Sequence, residues 1–373
     1  MFFCDPPGNT SPDALFNLGS DDIVENEYVF MHDQEPVDLE LYRDLFDKVC
    51  SQNTDLWAPG PPEYYDNKPY VSADLTHWIT DDKGRPVKPT PHGHVIVSER
   101  GEFVEALCQK YEWTPHYYFY HGWACLDWFR GYDRTFLIPR ARDRRPTRTF
   151  MSPNRIVGGR RDHRVIFLYH VFKNHLQHNH ISAPRVCQYE GIDITSIAQK
   201  YTNVYQDIVT ALNQADLPKL FSGEQQQHMH SHRLGNFTEV ADSLIYVPTE
   251  TVYFGRRTHI TEKTFKAIAL EMPFVLVAPA GSLEYLREYG FKTFSGIFDE
   301  NYDTEINDIH RIERVIKLLK DLDSLTVKEQ QQIHRACLPV IEHNFNHFYR
   351  GGFAEILWSE MNHMLNTLQK NLT

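Results

Sequence analysis

The stretch HITEKTFKAIALEMPFVLVAP, from His259 to Pro279, decides the fold prediction. Its middle part has apolar residues at helical spacing, and its end is a short apolar run typical of a buried strand. Thr261 is a residue type favoured at helix N-caps, so Glu262 and Lys263 are predicted to lie in the first helical turn. A helix that leads directly into a buried strand favours an α/β fold with parallel strands.

The same alternation of strand and helix continues outward from this stretch in both directions. Other strands are predicted over 27–36, 94–99, 116–122, 148–154, 183–189 and 243–250. Helices are predicted over 36–50, 101–113, 124–132, 161–176, 194–213, 282–290, 309–323, 326–348 and 353–369, and Gly290 is expected to end the helix before it. Residues 53–94 are rich in Pro, Gly and Asp and are predicted to be irregular.

This order predicts an α/β protein with two Rossmann-like domains that face a cleft, followed by C-terminal helices. The first domain is predicted over 1–147 and the second over 148–350. A last helix over 351–373 can cross back to the first domain. Ligands of such folds lie outside the carboxyl ends of the strands, where the turns HDQEP (32–36) and VPTE (247–250) are expected.

The composition excludes several classes of protein. Hydrophobic residues make up 41% of the 373-residue chain, enough for sizeable cores, and aromatic residues make up 13%. No stretch approaches the ~20 apolar residues of a membrane span, and the N-terminus does not resemble a signal peptide. The six cysteines are scattered without a CxxC pair, which predicts a reduced, cytoplasmic protein.

The charge is unevenly distributed along the chain. The net charge is −12, yet residues 140–164 contain nine arginines against two aspartates, a local charge of +7 that leaves −19 elsewhere. Such a strip indicates either an anion-binding site or a solvated linker, and both interpretations stay open.

The predicted N-terminus of this helix, formed by Thr261, Glu262 and Lys263 and called the helix mouth below, is the strongest candidate for a ligand site. Free N–H groups and the helix dipole favour an anion there, and Arg256, Arg257 and Lys263 could add charge-assisted hydrogen bonds to a phosphate. Glu262 could accept from ribose hydroxyls, and Glu250 lies in the preceding VPTE turn. The alternative is an ordinary capped helix whose glutamate favours its own dipole.

The stretch 259–279 resembles the TEK segment of the two-Rossmann (GT-B) fucosyltransferase-like glycosyltransferases. It is also similar to a group of uncharacterised bacteriophage proteins, whose pattern continues through SLEYLREYGFKTFSGIFDENYD (282–303). Residues 151–172 resemble the strand–turn–helix that opens the family's donor domain. The resemblance covers most of 148–345, with the patches FMHDQEP and HGWACLDWFRGY before it.

The resemblance implies roles for particular residues. In the family the Glu and Lys of TEK bind the ribose and diphosphate of the donor, roles that fall here on Glu262 and Lys263. The family's phosphate-binding arginine falls on Arg155 or Arg164. His259 stands where the family usually has Tyr, which leaves the nucleotide base open. The implied co-substrate is a UDP- or GDP-linked sugar, with no tightly bound cofactor.

Sugar transfer with inversion also needs a base that takes the acceptor's proton. Asp33 and Glu35 in the HDQEP turn are the first candidates, and Asp127 is the third. The alternative for HDQEP is a turn before a proline-initiated helix, with one carboxylate serving as the cap. We expect an inverting, metal-independent enzyme.

A zinc site has to be considered because the chain has 20 histidines. HMHSH (228–232) and the pair His343 and His347 could ligate zinc, but no HExxH motif or nearby cysteine pair accompanies them. We therefore predict no metal. The chain also lacks a P-loop, a GxGxxG fingerprint and a GxSxG elbow, which argues against common kinases, dehydrogenases and esterases.

The favoured acceptor is a hydroxymethylated base in phage DNA. The arginine strip adjoins the aromatic stretch 117–129, a combination that resembles a phosphate track with stacking platforms. Arg142, Arg144 and Arg145 are the candidate acceptor-binding residues. A glycan hydroxyl is the alternative acceptor, and a non-catalytic nucleotide-sugar-binding protein is the alternative function.

Overall fold

The computed structural model describes residues 2–3, 29–32, 94–111, 114–129, 139–187, 191–222, 234 and 238–372. By its internal contacts the chain divides into two compact units, one formed by 1–118 with 364–373 and the other by 119–363. Each unit contains a parallel sheet with helices, so the predicted mixed α/β class is confirmed.

The division by contacts differs from the predicted boundary at residue 147. The helix Tyr120–Phe129 and the segment 139–147 both group with the second unit. The predicted cleft between two domains, and the predicted crossing of the last helix, concern the arrangement of the two units and stay predictions.

The first unit contains a four-stranded parallel sheet with the order β1–β2–β3–β5. Its elements are β1 (Phe2–Phe3), β2 (Val29–His32), β3 (His94–Val97), β4 (Arg100–Gly101), α1 (Glu102–Tyr111) and β5 (Thr114–Tyr117). The first two predicted strands are confirmed. The third, predicted over 116–122, is displaced to Thr114–Tyr117, and residues 120–122 begin a helix instead. The helix predicted over 36–50 lies outside the described residues.

The second unit contains a three-stranded parallel sheet with the order β7–β6–β8. These strands are β6 (Arg148–Pro153), β7 (His180–Ser182) and β8 (Ser243–Tyr246). The predicted buried strand at the end of the opening stretch runs parallel to β8, where the Val275 amide donates to Tyr246 O (3.1 Å) and the Val277 amide to Pro248 O (3.0 Å). It therefore adds a fourth extended segment to this sheet.

The helices of the second unit follow the predicted order. They are α2 (Tyr120–Phe129), α3 (His163–Lys173), α4 (Ile194–Ala198), α5 (Ile208–Gln214), α6 (Glu262–Ala269), α7 (Ser282–Glu288), α8 (Asp308–Asp323), α9 (Val327–Tyr349) and the start of α10 (Gly352–Leu372), with a short β9 (Arg257–Thr258) before α6. Residues from 364 onward in α10 group with the first unit. The three C-terminal helices are confirmed. In the described part of the chain, no helix has both the length and the apolar character needed to cross a membrane.

Two predictions are corrected locally. The strand predicted over 183–189 is displaced to β7, and the residues after it form isolated antiparallel bridges, Ala183 with Lys219 and Val186 with Asp193. Pro184 cannot donate a ladder hydrogen bond, which favours this irregular path. The single helix predicted over 194–213 is split into α4 and α5, so that both pieces pack on α3.

The core of the second unit is built around α3. Residues 165–169 of this helix have no exposed surface, although they occupy all sides of the helix. A helix that is buried all round belongs to the interior of a fold. It packs against α4, α5 and α8.

A histidine fills the junction between α7, α9 and α10. The Nε2 of His347 lies 2.7 Å from Tyr289 O, which holds the ring in place. Gly290 ends α7 with φ 84°, as predicted. A Cβ on Gly290 would lie 2.8 Å from His347 Nε2, and a Cβ on Gly352 would lie 2.5 Å from His347 Nδ1. Both glycines are therefore required by close packing.

Candidate functional site

The candidate site lies at the carboxyl edge of the β7–β6–β8 sheet. After β6 the chain goes to β7 on one side and later to β8 on the other, so the strand order reverses between β6 and β8. Such a switch point is where open α/β sheets bind ligands.

The turns after β6 and β8 are locked together by buried polar groups. Thr249 Oγ1 donates to Asn154 Oδ1 (2.9 Å), and Asn154 Nδ2 donates to the Ser152 hydroxyl (2.9 Å). Asn154 and Thr249 are both buried. Two rigid turns at a switch point provide a fixed base for a ligand site.

Arg164, at the start of α3, ties the same turns through main-chain carbonyls. Its guanidinium donates to Ile156 O (2.7 Å), Thr249 O (2.7 Å) and Glu250 O (3.1 Å). Of the two arginines predicted to bind phosphate, Arg164 is therefore engaged in holding the turns. Arg155 is half-buried and stays the candidate.

Glu250 anchors the N-terminal end of α6. Its fully buried carboxylate accepts from the Thr261 amide (3.2 Å), the Thr261 hydroxyl and the Thr264 hydroxyl (2.6 Å). These donors occupy both carboxylate oxygens from within the protein. Glu250 was predicted to bind the donor directly, and the geometry gives it instead the role of positioning α6.

The predicted helix start is confirmed. Thr261 is the N-cap of the eight-residue α6, with extended backbone (φ −118°), and its side chain accepts from the Lys263 amide (3.5 Å). Glu262 and Lys263 lie in the first turn. Lys263 is half-buried, and its Nζ donates to Thr251 Oγ1 (2.9 Å) and Glu262 Oε1 (2.8 Å). The mouth of the helix thus carries an ion pair.

His121 of α2 is a member of this site that the sequence did not indicate. Its buried Nε2 lies 3.0 Å from the Glu262 amide nitrogen and 3.4 Å from Glu262 Oε2. One ring nitrogen cannot accept from the amide and donate to the carboxylate at once. The shorter distance favours the neutral ring, with Nε2 as the acceptor of the first amide of α6.

The Glu262 carboxylate is ionised despite its burial. Burial by itself raises the pKa of Glu262, but the positive charges of Lys263 and Lys266 hold that pKa well below its usual range. Burial is also the main cause that lowers the pKa of Lys266 and raises the pKa of the Cys125 thiol well above its usual range. The ionised Glu262 is paired with the Lys263 ammonium group, 2.8 Å away.

The other residues predicted to bind the donor differ in solvent exposure. Arg256 is exposed, and Arg257 is half-buried in β9. His259 is only 1% exposed, and its ring lies edge-on to His121 with the centroids 5.9 Å apart. His259 therefore packs behind the helix mouth, where it has little access to a ligand.

The candidate bases are placed only in part. Asp127 is half-buried on α2, six residues beyond His121 and therefore about 120° around the helix from it. Asp33 and Glu35 lie outside the described residues.

The arginine strip does not form one uniform surface. Arg144 is buried and donates to Pro139 O (2.7 Å), Leu270 O (2.7 Å) and Glu271 O (3.1 Å), which caps the carboxyl end of α6. Burial lowers its pKa to about 10, which still leaves the guanidinium charged at neutral pH. Arg144 thus has a structural role in place of the predicted acceptor contact, whereas Arg142 and Arg145 are exposed.

The histidines weighed as zinc ligands have other partners. The Nε2 atoms of His343 and His347 lie 3.0 Å from Gly290 O and 2.7 Å from Tyr289 O, respectively. Across the ranges that the structure describes, no group of three His, Cys, Asp or Glu side chains could hold a metal ion. The HMHSH stretch (228–232) lies outside those ranges.

No protein-family model matches the chain, and neither the curated proteins nor the solved structures give a match.

Proposed function

We propose that this protein is a glycosyltransferase that moves a sugar from a nucleotide-sugar to a hydroxyl acceptor, with the donor diphosphate at the N-terminus of α6. The observation that carries the proposal is the position of the Glu262–Lys263 ion pair, in the first helical turn beside the switch point of the sheet. The resemblance of residues 259–279 to the TEK segment supports the same assignment.

The chemistry follows from the groups at this mouth. Lys263 would exchange its bond to Thr251 for a diphosphate oxygen, and Arg155 would add a second positive charge. These charges would stabilise the leaving diphosphate without a metal ion. Glu262 is ionised and therefore suited to accept from ribose hydroxyls.

The proposed reaction also needs a catalytic base. A two-Rossmann GT-B arrangement would bring a base from that unit to the donor, with Asp33 or Glu35 as the first candidates. Asp127 is the alternative within the second unit. A direct displacement with one base would invert the sugar carbon.

Two classes of acceptor are compatible with the exposed residues of the arginine strip. Of the three arginines predicted to follow a DNA backbone, Arg142 and Arg145 are exposed, but Arg144 caps α6. This weakens the case for a hydroxymethylated DNA base and makes a glycan hydroxyl an equal candidate. With a DNA acceptor, the reaction would belong in the cytoplasm of an infected bacterium.

The first test is donor binding. A panel of nucleoside diphosphates, beginning with UDP and GDP, is screened for an increase in melting temperature. A ligand that binds only the folded state adds about 2.7 kcal/mol to stability at a hundredfold excess over Kd. Lys263→Ala should weaken binding at least tenfold, and Lys320→Ala, on an exposed part of α8, should not. Absence of binding to every nucleotide would contradict the proposal.

The second test is turnover. Nucleotide release is measured from nucleotide-sugars with hydroxymethylated DNA, with glycans and without acceptor. A DNA acceptor predicts that turnover falls steeply with salt and that combined Arg142→Ala and Arg145→Ala replacement flattens this dependence. Nucleotide binding without release under any condition would favour the non-catalytic alternative.

A further inference from the structure

Two partly exposed rings at the carboxyl edge of the sheet lie nearly parallel. The centroids of Tyr201 and Phe254 are 6.5 Å apart, and their planes differ by 15°. Aromatic carbons in contact are roughly 3.5 Å apart, so a planar ring between two others needs roughly 7 Å. The near-parallel planes are the orientation that such an insertion needs, and rotation of the two side chains would set the separation of their faces.

Phe254 is backed by a rigid buried layer. It lies in the loop that leaves β8 for α6, edge-on to His163 (6.0 Å, 82°) and to Tyr253 (5.5 Å, 89°). Tyr253 itself stacks on His163 at 4.9 Å and donates its hydroxyl to Asp308 O (2.8 Å). The Arg311 guanidinium covers Tyr253 at 4.3 Å. This layer fixes the back of the Phe254 ring.

Tyr201 is held through its hydroxyl. It lies in the 3-10 turn Gln199–Tyr201, and Asp162 lies at the start of α3. Burial, followed by the charge of Asp162 and a hydrogen bond to it, raises the pKa of Tyr201 above its usual value. Lys200 Nζ also lies 3.4 Å from Asp162. The tyrosine ring is therefore oriented before any ligand arrives.

We infer that Tyr201 and Phe254 clamp the nucleobase of a bound nucleotide between their faces. The identity of the ligand as a nucleotide rests on the proposed function, and the clamp assigns its base to residues outside the TEK segment. The turn of Tyr201 and the loop of Phe254 adjoin the elements that follow β6 and β8, where the diphosphate would lie. Stacking of this kind tolerates different bases, because each has a π-face.

The test separates base binding from phosphate binding. Isothermal titration calorimetry measures the affinities for UDP, GDP and inorganic pyrophosphate, which lacks a base. Tyr201→Leu and Phe254→Leu should each weaken binding of the better nucleotide at least tenfold and leave pyrophosphate binding within a factor of two. Tyr201→Phe keeps the ring and should stay within a factor of three. Trp358→Leu, which removes an exposed aromatic ring from α10, is the matched control and should change nothing.

The outcomes distinguish the two proposals. If the unmodified protein binds neither nucleotides nor pyrophosphate, both the proposed function and the clamp are overturned. If it binds a nucleotide and both leucine variants bind it equally well, the clamp alone is overturned. If the leucine variants lose pyrophosphate binding to the same extent as nucleotide binding, the rings support the fold and the clamp is again overturned. Melting temperatures of all variants are recorded alongside.

Discussion

The Nε2 of His121 lies 3.0 Å from the amide nitrogen of Glu262, 141 residues along the chain. This contact gives a partner to one of the amides that a helix start leaves without a main-chain acceptor. It also brings a titratable ring to the most charged pair of the site. The first turn of α6 is therefore organised from α2 as well as from its own N-cap.

Replacing His121 by leucine should destabilise the protein by about 1–3 kcal/mol, because the buried Glu262 amide loses its acceptor. Glutamine can supply an acceptor and a donor at a similar reach, so His121→Gln should recover most of the loss. Urea unfolding of the three proteins measures the difference. Equal stability of the leucine and glutamine variants would show that the ring acts only by filling space.

Thr261→Val should cost at least about 2 kcal/mol of unfolding free energy, more than the usual cost of about 1 kcal/mol for a lost N-cap. The additional cost arises because the fully buried Glu250 carboxylate loses a hydroxyl donor. Thr326→Val removes the exposed capping box of α9 and is the matched control. If the two valine variants unfold at the same urea concentration, Glu250 does not depend on Thr261.

Arg144→Met should destabilise the protein by about 2–4 kcal/mol, because buried carbonyls at the end of α6 lose their donor. Arg142→Met is the control, since the Arg142 side chain is 81% exposed and surface replacements usually stay within about 0.5 kcal/mol. Chemical denaturation of both variants measures their free energies of unfolding. A similar small effect for both would restore Arg144 as a candidate for ligand contact.

The Asp303 carboxyl should make the free energy of unfolding fall as the pH rises. Burial raises its pKa from 3.8 to about 6, although its carboxylate accepts from the Leu283 amide (3.0 Å). A raised acid pKa contributes stability that is complete below pH 4 and lost as pH rises through 6. Relative to the unmodified protein, Asp303→Asn should therefore gain about 2 kcal/mol between pH 4 and pH 7.

The measurement is the free energy of unfolding of both proteins at several pH values across this window. Asp216→Asn, an exposed replacement, should follow the unmodified protein throughout. A difference between Asp303→Asn and the unmodified protein that does not change with pH would refute the proposed titration.

Local features of the fold were predictable from the sequence. The N-cap at Thr261, the left-handed Gly290 that ends α7 and the three C-terminal helices follow from residue types and spacing within one or two turns. The parallel order followed from the alternation of strand and helix. These signals are local because capping and amphipathic spacing act within a few residues of each other.

The organisation of the site was not predictable in the same way. His121 and Arg144 contact α6 from positions 141 and 126 residues away, and Glu250 reaches Thr261 from the separate turn after β8, so no spacing rule connects these residues with α6. Their residue types even suggested other roles, because a buried arginine that caps a helix looks like any arginine in a basic strip. The split of 194–213 into two helices likewise depends on packing against α3.

The junction around His347 has an evolutionary consequence. Because its ring is hydrogen-bonded to Tyr289 O, it cannot move aside for a new methyl group on either neighbouring glycine. In any lineage of this chain, alanine at position 352 should become tolerable only after position 347 has changed to a smaller residue. Position 290 should keep its glycine in every case, because its φ of 84° strains any other side chain. Positions 347 and 352 should therefore covary, and this covariation would identify true relatives when overall identity is too low to do so.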